Sequence, residues 1–262
     1  ASICREHNVR SYLTINTVIY NDEIKLVQNL CDRAKATGVT AVIASDLAVI
    51  QYAHSIGLEI HLSTQCNVSN IEAVKFFAQF ADVVVLAREL TLEQITEIVK
   101  QIKEQDIRGP RGKLIQIEIF VHGALCVAIS GKCYMSLAQY NSSANRGACF
   151  QACRRRYGVT DQETGDQLEI DNEFIMSPKD LCTIEVLDKI LDSGVSILKI
   201  EGRGRGPEYV DTVVKSYKRA VDAWKKGSFT KELGLSLKKE LEKVFNRGFW
   251  EGYYLGGKLG QW

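Results

Sequence analysis

No apolar run in this 262-residue chain reaches the length needed to cross a bilayer, which excludes a helical membrane span. Nothing at its start has the layout of a secretory signal, so a reducing cytoplasmic compartment is expected. Excess charge of either sign is missing too. There are 33 Lys and Arg against 32 Asp and Glu, for a net charge of +1. No global field announces a nucleic-acid partner, and any such contact must use a local patch. There is no H-E-x-x-H zinc helix and no G-x-S-x-G elbow, so the usual peptidase machinery is absent. Low-complexity tracts are also absent. The opening "ASICREHNVR" lacks a Met and the closing "GYYLGGKLGQW" has no recognisable finish, from which a trimmed fragment is expected.

What is present is a strand–helix rhythm. "VRSYLTINTVI", "TAVIAS", "EIHLSTQ", "DVVVLAR", "LIQIEIFVHG" and "VSILKIEGR" read as strands, each followed by a helical pattern or a longer insertion. Such alternation predicts parallel βαβ units. The strands are apolar on one face only. Ile115, Ile117, Ile119 and Val121 oppose Gln116, Glu118, Phe120 and His122. Ile60 and Leu62 oppose Glu59, His61, Ser63 and Gln65. Lys199, Glu201 and Arg203 share a face, as do Tyr12, Thr14 and Asn16. A doubly wound sheet covered on both faces would be apolar on both. The pattern instead predicts an α/β fold of the TIM-like (β/α) barrel type, missing its first one or two βα units, with polar groups at its C-terminal mouth.

The expected organisation is a partial barrel over residues 1–228, with a cysteine-bearing insertion at 123–194, followed by a helix and an aromatic, glycine-rich tail at 229–262. Within the insertion, Ser177-Pro178 has the form of a helix start, serine as N-cap and proline in the first turn. A connection this long in a compact domain usually carries function.

Eight cysteines are too few for a disulfide scaffold in a chain of this length. Cys4, Cys31 and Cys66 are scattered and read as small packed hydrophobes. Cys126, Cys133, Cys149, Cys153 and Cys182 crowd together, the first four spaced C-x6-C-x15-C-x3-C. Four converging thiolates are what a [4Fe–4S] cluster takes. Glycines at 123, 131 and 147 would let the backbone turn around it. Zinc is the alternative metal, although C-x6-C is wider than its customary ligand pairs. Unliganded packing is a third reading.

"EIFVHGALCVAISGKCYMS", "NRGACFQACRRRY", "FIMSPKDLC", "LKIEGR" and "VFNRGF" closely resemble the collagenase-like peptidase family of unknown catalytic type, and the resemblance runs over nearly the whole chain. It implies a barrel-like catalytic domain and, for the better understood members, oxygen-independent hydroxylation. The substrates implied are the wobble uridine of tRNA, a cytidine of ribosomal RNA or, in a divergent pair, a ubiquinone precursor. The RNA-modifying branch, which "NRGACFQACRRRY" and "SPKDL" resemble more, implies a [4Fe–4S] cluster and prephenate as oxygen donor. By motif, Cys126, Cys133 and Cys149 are the ligands, with Cys153 and Cys182 competing for the fourth place.

The remaining candidates follow from residue type. Glu118 and His122, at the end of one strand, could handle protons; His122 could equally bond a backbone carbonyl. His61 poses the same choice. Lys199 and Glu201 are catalytic candidates or a mutual ion pair. Arg203, and Arg88 with it, suits a carboxylate or phosphate, so a small dicarboxylate co-substrate is expected. Arg154 and Tyr157, within "CRRRYG", suit RNA backbone and base contact, or form a solvated face. The leading expectation is a cluster-bearing RNA hydroxylase acting on tRNA. The alternatives are a collagenase-like peptidase and an RNA-binding module stapled by metal.

Overall fold

The computed structural model describes residues 1–168 and 174–257. The last part of the insertion's polar stretch and the end of the glycine-rich tail therefore lie outside the described residues. In chain order the elements begin with α1 (Ser2–Glu6), β1 (Tyr12–Ile15), α2 (Ile24–Ala36), β2 (Ala41–Ala44), α3 (Leu47–Ser55) and β3 (Glu59–Leu62). There follow α4 (Ile71–Phe77), β4 (Val83–Val85), α5 (Leu92–Glu104), β5 (Gln116–Gly123) and α6 (Met135–Tyr140). The insertion continues with β6 (Val159–Thr160), β7 (Gln167–Leu168), β8 (Asp180–Cys182) and α7 (Leu187–Asp192). The chain then forms β9 (Ile197–Ile200), α8 (Pro207–Lys225), α9 (Lys231–Leu241) and β10 (Phe249–Trp250).

All six strands expected from the sequence form, and they make a mixed α/β fold with a mostly parallel eight-stranded sheet. β1, β2, β3, β4 and β5 pair in sequence order, all parallel, and β9 pairs parallel with β5. The crossover helices form where local signals agree with burial. Helix α5 opens on a reciprocal cap, Thr91 Oγ1 accepting from Gln94 N at 3.3 Å while Gln94 Oε1 accepts from Thr91 N at 2.9 Å. It buries Ile95, Ile98, Val99 and Ile102, one stripe at helical spacing. Each such side chain contributes roughly 1.5–3 kcal/mol by leaving water. Asp46 caps α3 through Ala48 N and also accepts from Ile19 N, both at 2.9 Å, so a helix start fixes the loop after β1.

The C-terminal part of the chain packs on this same core. Leu237 and Leu241 of α9 and Tyr254 beyond β10 are buried in it. β10 is a strand rather than tail, pairing parallel with β8.

Two local expectations are corrected. Ser177-Pro178 does not start a helix: Asp180–Cys182 is strand β8, and the helix begins at Leu187. The Ser177 hydroxyl is taken by the Arg154 guanidinium at 2.8 Å instead of capping a backbone amide. β8 also pairs antiparallel with the end of β5, His122 opposite Cys182. The second correction concerns β5. Its register against β9 shifts between Phe120 and His122. That extra residue turns His122 away from the face that Glu118 and Phe120 share, because a one-residue slip exchanges the faces of a strand.

Candidate functional site

A cavity of about 650 Å³ opens where β1, β3, β5 and β9 end, roofed by the insertion. Cys126, Cys133, Cys149 and Cys153 all line it, and Cys182 does not. All eight cysteines are free thiols. The Cys149 sulfur already accepts two hydrogen bonds, from Gln151 N at 3.4 Å and Ser136 Oγ at 3.8 Å. Burial pushes the Cys153 thiol up, and the nearby Cys126, Cys149 and Cys133 add to it. Among the described residues, no three His, Cys, Asp or Glu side chains converge on one point as a single metal ion would require.

The insertion reaches this position through its glycines. Gly123, Gly131 and Gly147 take φ of 111°, 76° and 82°. Gly123 admits no side chain at all: a Cβ there would sit 2.4 Å from the Glu201 carbonyl oxygen. The close approach carries β5 directly beside the segment that follows β9. Arg154 then ties the two ends of the insertion together. Its guanidinium donates to the carbonyls of Leu125 (2.5 Å) and Pro178 (2.9 Å) as well as to Ser177.

The polar strand faces meet at the same cavity. Lys199, Glu201 and Arg203 line the cavity, as do Thr14, Asn16, Ser63 and Gln65. Lys199 Nζ lies 2.6 Å from Glu118 Oε1. Glu118 Oε2 is 3.8 Å from His61 Nδ1, and His61 Nε2 is 3.2 Å from Glu59 Oε1. Glu59 Oε2 in turn meets Arg111 Nη1 at 2.5 Å. Charges thus alternate from Arg111, half-exposed, to Lys199 at the cavity. Burial opposes ionisation of Glu118, but the bond from His61 and the Lys199 ammonium outweigh it and hold the carboxyl below its usual range. Burial likewise disfavours a charged His61, yet Glu118 and Glu59 on either side raise it above its ordinary value.

Arg88 also lines the cavity, its guanidinium 4.0 Å from the centre of the Phe120 ring. Its Nε is buried without a hydrogen-bond partner. Burial works against the charge, while Cys126 and Glu201 favour it. A buried cation that lines a cavity is placed to pair with an anion bound there.

Several sequence candidates lie elsewhere. His122 sits among Tyr209, Tyr217 and Phe249, with ring centres 5.5–5.9 Å away, and does not line the cavity. Burial, aided by Arg205, drops it to about 4, so it is neutral at pH 7. Cys182 is buried behind β5, where burial lifts its thiol to about 11. Tyr157 donates to the Ala152 carbonyl at 2.8 Å, an internal tie like those of Arg154. Cys31 is fully buried and Cys66 packs on the core, whereas Cys4 is half-buried in α1. The Glu59–His61 pair and its link to Glu118 were not singled out from sequence. The signal was the polar face of "EIHLSTQ", whose neighbours only the sheet order reveals.

The family model described as Peptidase family U32 matches residues 1–262. A Porphyromonas gingivalis protein named "Collagenase" is 54% identical over the whole chain. The "23S rRNA 5-hydroxycytidine C2501 synthase" of Escherichia coli is 36% identical over 83% of the chain and 31% of its own length. "tRNA hydroxylation protein P1" of Bacillus subtilis is 32% identical over 95% of the chain and 59% of its own length. The chain spans 63% of the length of the collagenase-named relative. No solved structure matches it significantly. On the family model and on these identities, the chain belongs to peptidase family U32.

Proposed function

We propose that this chain is the core of an oxygen-independent RNA hydroxylase that holds a [4Fe–4S] cluster and uses a dicarboxylate oxygen donor, prephenate being the leading instance, on a base such as the tRNA wobble uridine. The observation that carries the reading is one cavity lined by four cysteines together with Lys199, Glu201, Arg203 and Arg88. Two of the relatives are named for hydroxylation of tRNA and of ribosomal RNA. We also read the sheet as the larger part of a (β/α) barrel, supported by five successive parallel pairings and by polar strand ends that gather at one mouth.

The donor chemistry supports this reading. Four thiols line one cavity, and the C-x6-C spacing is wider than the ligand pairs customary for zinc. A cube of iron and sulfide takes one thiolate at each of four separated corners. Cys126, Cys133, Cys149 and Cys153 would hold it, with Gln151 N and Ser136 Oγ supporting the Cys149 sulfur. When bound, the cluster supplies Lewis-acid and one-electron chemistry facing the cavity. Arg88 and Arg203 would grip the donor's carboxylates. Lys199, held in place by Glu118, would present a proton-bearing nitrogen to the reacting oxygen.

Proteolysis is the second reading, favoured by the collagenase name of the 54%-identical relative. Ser130 is its nearest nucleophile, but that hydroxyl is buried against Thr64 Oγ1 at 3.5 Å while Lys132 is exposed. Anaerobically purified protein tests the leading reading. About four irons per chain and visible absorption bleached by dithionite are expected. Loss of a hydroxylated uridine from the tRNA of a deletion strain, read by mass spectrometry, should accompany them. A colourless one-zinc protein that degrades gelatin would overturn it.

A further inference from the structure

Residues 119–160 contain no Asp or Glu, in a chain that has 32 of them, but they include Lys132, Arg146, Arg154, Arg155 and Arg156. This acid-free stretch is also where large rings face water. Tyr134 is 74% exposed, Phe150 58% and Tyr140 38%. Tyr140 and Phe150 stand 5.3 Å apart, and the Arg155 guanidinium lies 4.8 Å from the Tyr140 ring centre and donates to its hydroxyl. Arg146 is matched by Glu23 at 2.6 Å and Arg154 is spent on the insertion's own backbone. Arg155 and Lys132 have no acidic partner among the described residues.

The position of this surface is as telling as its composition. Tyr134 and Phe150 are the immediate chain neighbours of Cys133 and Cys149, and Met135 and Ser136 at the start of α6 line the cavity. The exposed rings therefore stand at the rim of the proposed reaction site. Rings interleaved with unneutralised cations bind a chain that carries both flat bases and phosphates. Rings at a rim can stack only on bases that are not already paired. A peptide offers no regular anion to match the missing acids.

We propose that the rim of Tyr134, Tyr140, Phe150 and Arg155 is the docking surface for an unpaired RNA loop, stacking the bases beside the one delivered into the cavity. This deepens the RNA reading above and rests on it. Binding of a fluorescein-labelled RNA stem-loop to the full protein with its iron, followed by anisotropy, provides the test. Phe150→Ala and Tyr134→Ala should each weaken binding roughly 10-fold, and Phe150→Trp should restore it. Arg155→Glu should weaken binding and lower the slope of log affinity against log salt by about one. Iron content should be unchanged in every variant. Both rings adjoin proposed cluster cysteines, so iron content is measured alongside binding, and Tyr134→Ala, whose ring is 74% exposed, is the arm that disturbs packing least. If the unaltered protein binds the stem-loop while Tyr134→Ala and Phe150→Ala bind it equally well, the surface is overturned and the RNA reading stands. If the unaltered protein binds gelatin peptides and no RNA, both fall.

Discussion

Lys199 Nζ and Glu118 Oε1 meet at 2.6 Å, with the carboxylate buried and the ammonium about a quarter exposed at the cavity. Glu118 keeps His61 as a second partner, so losing Lys199 does not leave it wholly uncompensated. Lys199→Met should therefore cost about 2 kcal/mol rather than the larger penalty of a fully orphaned buried charge. On the hydroxylase reading, in which Lys199 transfers a proton, it should also lower activity about 100-fold or more. A double-mutant cycle with Glu118→Gln, by urea unfolding, should return a coupling of ~1–3 kcal/mol.

The two contenders for the fourth thiolate separate by experiment. On the cluster reading, Cys153→Ala should lose iron and visible absorption. Cys182→Ala should retain both and lose only roughly 1 kcal/mol of stability, since its sulfur is packed behind β5. Iron retained in Cys153→Ala and lost in Cys182→Ala would reverse the assignment.

His122 gives a pH signature. Its folded value of about 4 lies below the ~6.5 of a free histidine, so the unfolded chain takes up a proton that the folded chain refuses. The stability is fully present above pH ~6.5 and is lost as pH falls towards about 4, on the order of 3 kcal/mol in all. His122→Gln, which does not titrate, should flatten urea midpoints across that window.

Arg154 holds Leu125, Ser177 and Pro178 together, so its loss acts on the insertion and not on a solvent-facing contact. Arg154→Ala should destabilise by about 2–3 kcal/mol, two backbone carbonyls losing a charged donor. Faster amide exchange confined to residues near 125 and 178 is the measurement. Arg155→Ala should leave exchange there unchanged.

Gly123→Ala should be among the most damaging single changes. The new methyl carbon would meet the Glu201 carbonyl oxygen at 2.4 Å on a backbone with φ of 111°. Loss of soluble folded protein, or of more than about 3 kcal/mol, is expected by thermal melting.

Much of this was legible in the residues. The polar faces holding Lys199, Glu201 and Arg203, and Ser63 with Gln65, follow from period-two alternation and do meet at one cavity. The crowding of Cys126, Cys133, Cys149 and Cys153 follows from their spacing on a glycine-bearing connection. What was not legible depended on pairing between distant segments. Ser177-Pro178 carries a strong local helix signal, yet Asp180–Cys182 pairs with both β5 and β10, and tertiary pairing won. The chain Arg111–Glu59–His61–Glu118–Lys199 joins three strands and a loop, and no window of sequence contains it.

The register shift in β5 also determines how the gene can change. Within a regular strand, an in-frame loss of one codon exchanges the faces of every residue beyond it. Between Phe120 and His122 the bulge can absorb that loss, because His122 already stands opposite Ile200, the residue after Lys199. The imidazole would keep its place by Tyr209 and Tyr217, away from the cavity that Lys199 lines. Val121 is thus a codon whose loss leaves the reacting and packing faces of the strand where they are.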